Sequence, residues 1–116
     1  MAFGKLASMA LPADALTVVY TAPSNAVVGI IINNTNNFPV VFGISIGTNA
    51  TPALADYILV NSVLGPCVNP ISSKHVIEKI PMSAGEMIQV LTDTPGVVIR
   101  VQGADGTDIT TAKYSY

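Results

Sequence analysis

The sequence predicts an all-β fold: an antiparallel β-sandwich, jelly-roll-like, with about seven or eight short strands. Three observations carry that expectation. Runs rich in Val, Ile and Thr recur at intervals of roughly 8–15 residues, with Gly, Pro, Asn and Asp between them. Several runs alternate apolar and polar residues with the period of two expected of a half-buried strand. No stretch carries the apolar period of an amphipathic helix. A chain of 116 residues suits one compact domain. It is long enough to bury roughly two-thirds of its unfolded surface without staples.

The reading divides the chain into an N-terminal arm (1–15), a β-sandwich domain (16–103) and a C-terminal tail (104–116). The arm is Ala-rich with no clean period; an extended segment and a single helical turn both fit it. Residues 16–21 (LTVVYT) alternate, with Leu16, Val18 and Tyr20 expected on one face. Residues 22–25 (APSN) form a turn.

Residues 26–47 are the expected centre of the domain. Residues 27–32 are almost purely apolar, so one face meets the core and the other needs a second cover. In residues 40–46, Val40, Phe42, Ile44 and Ile46 fall on one face and Val41, Gly43 and Ser45 on the other. Between the runs stands Asn33-Asn34-Thr35-Asn36-Asn37. Asn tolerates positive φ and bonds its own backbone, so this stretch reads as the tight reversal of a β-hairpin.

Residues 47–53 (GTNATPA) are a loop. Residues 57–60 form a strand that can continue to Leu64, with ambiguous facing. Residues 65–73 (GPCVNPISS) are irregular, and 76–80 (VIEKI) form a short strand stopped by Pro81. After the turn at 83–85, residues 86–92 form a strand with Ile88 and Val90 inward. Residues 93–96 (DTPG) carry a strong turn signal. In 97–102, Val97, Ile99 and Val101 point inward and Val98, Arg100 and Gln102 outward, and Gly103 ends the strand.

Charge is the most informative feature of the composition. Only 10% of residues are charged, against about 25% in a typical soluble domain. Half are hydrophobic, and the mean hydropathy is +0.55. Soluble monomers normally carry mixed surface charge. A chain so poor in charge suits life in an assembly. The net charge of −2 and the scattered Lys5, Lys74, Lys79, Arg100 and Lys113 give no reason to expect nucleic acid or membrane partners. No apolar run reaches the length of a transmembrane helix. The first residues imitate a signal peptide only faintly, and the Leu6 to Leu11 stretch is short for an h-region.

Candidate chemistry is sparse. Cys67 is the sole cysteine, so no internal disulfide can form, and it reads as a small, partly buried thiol. His75 is the sole histidine, reads as a solvated or interface side chain in a polar loop, and has no nucleophile-elbow motif to serve. Asp105-Gly106-Thr107-Asp108 carries part of a Ca²⁺ loop but lacks the later oxygen ligands, so it reads as a turn. The expectation is no enzyme, no cofactor and no metal. An enzyme or small-ligand β-barrel lacks the polar groups it would need.

The order of signals resembles a family of small β-sandwich virion structural proteins of tailed bacteriophages. The resemblance rests on Gly4-Lys5-Leu6, residues 16–23 (LTVVYTAP), the apolar run 27–33 ending in Asn, and the second apolar run 40–46. It continues through Ala55-Asp56-Tyr57-Ile58, residues 82–86 (MSAGE) and the run 97–103 ending in Gly. It spans about 100 residues, and here the chain continues past Gly103, where such chains tend to stop. The family includes capsid decoration (cement) proteins and tail, collar or fibre accessories. The resemblance implies a virion location, a homo-oligomer, and the major capsid protein or other virion proteins as partners. The first expectation is a cement protein that stabilises the shell by docking across neighbouring subunits. The alternative is a tail, collar or fibre accessory with a role in host recognition. Expected contacts are Phe3, Leu6, Met9 and Leu11 on the arm, Val28 and Ile31 on the apolar run, and Tyr114 and Tyr116 on the tail.

Overall fold

The computed structural model describes residues 3–106. The strands are β1 (Phe3–Leu11), β2 (Thr17–Thr21), β3 (Ala26–Asn34), β4 (Val40–Gly47), β5 (Tyr57–Leu64), β6 (Lys74–Met82), β7 (Met87–Thr92) and β8 (Val97–Asp105). One 3₁₀ turn, Leu54–Asp56, precedes β5. All pairings are antiparallel. Sheet A has the order β1-β8-β3-β6, and sheet B has the order β2-β7-β4-β5. These two orders are those of a jelly roll, the double Greek key expected from the strand spacing.

The four inner strands follow their sequence pattern. Val28, Ile30 and Ile32 of β3 and Val97, Ile99 and Val101 of β8 are buried against Val40, Phe42 and Ile44 of β4 and Ile88 and Val90 of β7. Burying each such side chain stabilises by about 1.5–3 kcal/mol. The β3–β8 register runs unbroken from Ala26↔Asp105 to Asn34↔Val97. The β4–β7 register is also unbroken. The outward Val27 and its neighbour Ala104 are buried within the chain itself, while Ile31 is only half covered.

The four edge strands depart from a simple period of two, because each carries a register shift against its straight inner neighbour. An extra residue in one strand reverses the facing of everything beyond it. On β2 the shift lies between Val18 and Tyr20, so Val18 is exposed and Tyr20 is buried. The two were expected on one face. On β5 the bulge holds Asn61 at φ 49°, which explains the ambiguous facing of that run. On β6 it holds Lys79 at φ 57°.

Other expectations need correction. Residues 3–11 are not a free arm but strand β1, paired with β8 along its whole length. Ala7, Met9 and Leu11 supply the inward face that the Ala-rich composition hid. Residues 27–32 and 40–46 do not form a hairpin: β3 belongs to sheet A and β4 to sheet B. The Asn-rich loop crosses between layers. Pro81 does not stop β6, which reaches Met82. An edge strand has no second partner awaiting that missing N–H. β8 continues past Gly103 to Asp105.

Gly103 is nevertheless special. It sits at φ +136°, and an added Cβ would run into the Val27 carbonyl. Only glycine allows β3 and β8 to approach so closely there.

Candidate interaction surface

The structure separates the expected contact residues. Leu11 and Val28 are core residues and present nothing to a partner. Leu6 and Met9 pack partly against the same core. Ile31 stays half-exposed on the outer face of sheet A, beside Arg100 and Val76. Phe3 opens β1 opposite Ala104. Tyr114 and Tyr116 lie outside the described residues.

Among the described residues, His75 and Cys67 lie apart and do not converge on one site. His75 lies on β6 rather than in a loop, opposite Ile32, with its ring centroid 6.2 Å from that of Phe42. Cys67 is exposed rather than partly buried, and its Sγ donates to Asn37 Oδ1 at 3.0 Å. Among the described residues, no group of three His, Cys, Asp or Glu side chains could hold a metal. No described helix is long and apolar enough to cross a membrane.

One polar pair bridges the layers. Tyr20 Oη on β2 donates to Asp105 Oδ2 on β8 at 2.7 Å, and both residues are buried. Burial, and then the adjacent Asp105 carboxylate, holds the tyrosine hydroxyl well above its usual pKa. The pair reads as an internal tie between the sheets. Sequence reasoning missed it because the partners are 85 residues apart.

One end of the sandwich is laced by the Asn-rich loop. Asn34 Nδ2 donates to the carbonyls of Phe38 and Gly65, and its Oδ1 accepts from the backbone N–H and the Nδ2 of Asn36. Asn36 Nδ2 also donates to the Pro95 carbonyl, and Thr35 Oγ1 donates to that of Gly96. The Cys67 N–H donates to the Asn36 carbonyl. The loops 35–39, 65–73 and 93–96 are thereby fixed to one another. They display Phe38, Val68 and Ile71 to solvent.

Among the described residues, the largest run of exposed apolar side chains lies on the outer face of sheet B. Val18 of β2, Leu91 of β7, Val41 of β4 and Ile58, Val60 and Val63 of β5 are all exposed. Val63 stands opposite Val41 and is 63% exposed. An open cleft of about 250 Å³ crosses this face, lined by Val41, Gly43, Tyr57, Val60 and Leu91 together with Asp14 and Asp93, which stand outside the strands. A Cβ at Gly43 would press on the Leu59 carbonyl at 3.3 Å and meet the Tyr57 ring at an ordinary 3.7 Å. Further along, the β4–β5 connection covers the sheet, where Gln89 Nε2 donates to the Ala50 carbonyl at 3.3 Å. Ser45 Oγ is buried there with no hydrogen-bond partner among the described residues.

Among the described residues, much of the outer face of sheet B is apolar and uncovered. Comparison of the chain with protein-family models, with curated proteins and with solved structures finds no match.

Proposed function

We propose that this chain is a non-enzymatic structural protein of a tailed-phage virion, a capsid decoration or cement protein that docks across neighbouring shell subunits. The observation that carries the reading is the exposed apolar surface on every strand of sheet B, in a chain with only 10% charged residues. Apolar surface of this kind is a liability on a free monomer and an asset on an assembled one. The order of sequence signals shared with phage virion β-sandwiches supplies the kind of assembly. A cement protein acts by mass action: it binds the assembled shell and not loose subunits, so each docked copy opposes disassembly.

A tail, collar or fibre accessory is the second reading. The loop end with Phe38, Val68 and Ile71 favours it, because a rigid end displaying apolar tips suits recognition by loops.

The test is co-sedimentation of the purified chain with capsids assembled without it, together with cryo-EM of intact virions. The cement reading expects saturable binding, ordered density on the shell and a raised melting temperature of the decorated capsid. Density confined to the tail or collar would establish the second reading. Absence from the virion would overturn both.

A further inference from the structure

We propose that the outer face of sheet B is the docking face, and that the protein it meets presents an apolar patch bordered by lysine or arginine side chains. This rests on the virion reading and goes beyond it by naming the face and the chemistry of the partner.

The charges of this chain are segregated by layer. The strands of sheet B (TVVYT, VVFGISIG, YILVNSVL and MIQVLT) contain no Asp, Glu, Lys, Arg or His. Every cationic residue among the described ones lies on a strand of sheet A: Lys5 on β1, Lys74 and Lys79 on β6, and Arg100 on β8. The carboxylates near sheet B stand at its borders. Asp14, whose N–H donates to the Thr92 carbonyl, and Asp93 lie just beyond the strand ends and line the cleft there. Asp56 lies against Gly47, with its Cγ 3.1 Å from where a Cβ would stand. The face is therefore an apolar field with an acidic rim. Its complement is an apolar field with a basic rim.

The edges point the same way. β6, at the edge of sheet A, carries Lys74, Glu78, Lys79 and Pro81, the devices that keep an exposed edge from pairing. β5, at the edge of sheet B, carries no charge and no proline and leaves Ile58, Val60 and Val63 in solvent. Both edges are bulged, but only the edge of sheet A adds charge and proline.

A second copy of the chain is the weaker occupant. A two-fold pairing of sheet B faces would bring one acidic rim against another. The basic face of sheet A is complementary, but it lies on the opposite side of the sandwich. Joining opposite faces builds an open-ended stack rather than a closed assembly.

The experiment uses the full chain and capsids assembled without it. Val18→Glu with Leu91→Glu alters sheet B at positions 46% and 39% exposed; Val76→Glu with Val98→Glu alters sheet A at positions 43% and 38% exposed. Matched exposure makes the second pair a control. Val63→Lys is a milder third variant, placed on an edge strand that tolerates charge. The sheet B variants should weaken co-sedimentation by more than about tenfold, and the sheet A pair should bind as the parent does. Asp14→Asn with Asp93→Asn keeps an acceptor for the Val41 N–H. It should weaken binding several-fold at low salt and flatten its salt dependence. If the parent binds and folded sheet B variants bind equally well, the assignment of the face is wrong and the virion reading stands. If the Asn pair changes nothing, the basic-rimmed partner is wrong. If light scattering shows the parent self-associating through sheet B while its capsid binding ignores these substitutions, the face belongs to a second copy. If the parent does not bind capsids at all, the cement reading fails and this inference falls with it.

Discussion

Tyr20 shows how a single side chain can join two layers. Its ring fills the core between the sheets, and its hydroxyl reaches Asp105. Tyr20→Phe keeps the ring and removes the donor, so it should cost about 1.5–3 kcal/mol in denaturant unfolding. The pH dependence follows from the raised pKa of the hydroxyl. Folding favours the protonated phenol, so its contribution is complete below the unfolded value of about 10 and is lost as pH rises above it. The parent should therefore lose stability more steeply than Tyr20→Phe above about pH 10, and equal slopes would disprove the tie. Asn34 plays a comparable part at the loop end. Asn34→Asp removes both donors to the Phe38 and Gly65 carbonyls and sets a buried carboxylate against them. A loss of about 2–4 kcal/mol is expected, measurable as a lower melting midpoint. A neutral effect would mean that the loops hold together without it.

At the scale of elements, the division between inner and edge strands explains most of the behaviour. Inner strands are paired on both sides and hold a strict register, so each residue faces where the period of two places it. Phe42→Ala on β4 should cost about 3–5 kcal/mol, whereas Val98→Thr on the outer face of β8 should be mild. A Phe42→Ala protein with an unchanged melting temperature would contradict the facing assigned to β4. Edge strands are free to bulge, and here all of them do. β1 is the clearest case. Deleting residues 1–11 would expose the Val97, Ile99 and Val101 flank of β8 and remove Met9 and Leu11 from the core. We expect circular dichroism of that truncated chain to show a strongly destabilised or unfolded domain. A truncated chain that melts like the parent would make β1 a detachable arm after all.

At the scale of the whole molecule, the decisive property is the distribution of charge rather than its amount. Five basic and seven acidic residues look scattered along the chain. The jelly roll sends successive strands to alternate layers, except that β4 and β5 share sheet B, and that topology sorts them. Basic side chains collect on sheet A and apolar surface on sheet B. The purified chain should therefore need little salt to precipitate, because its sheet B surface has few charges to hydrate. The Val18→Glu, Leu91→Glu variant should stay soluble at higher ammonium sulfate concentration than the parent. Equal precipitation points would show that this face does not govern solubility.

The fold class and the four inner strands were legible in the residues alone. A strand paired on both sides and covered by a second sheet must alternate or be wholly apolar, and residues 27–32, 40–46, 86–92 and 97–102 do so. The turns at 22–25, 83–85 and 93–96 were legible for the same kind of local reason, since Pro, Gly and Asn restrict the backbone on their own. Tertiary structure alone decided the rest. Which layer a strand joins depends on pairing energies across the whole chain, so β3 and β4 part company although they are neighbours in sequence. Whether an edge strand bulges depends on its one partner, so the facing of Val18, the ambiguity of β5 and the strand hidden in residues 3–11 left no clear local signature. The Tyr20–Asp105 tie, the acid-rimmed apolar face and the bare edge at β5 are properties of juxtaposition. They arise only when residues far apart in sequence are brought onto one surface or into one core.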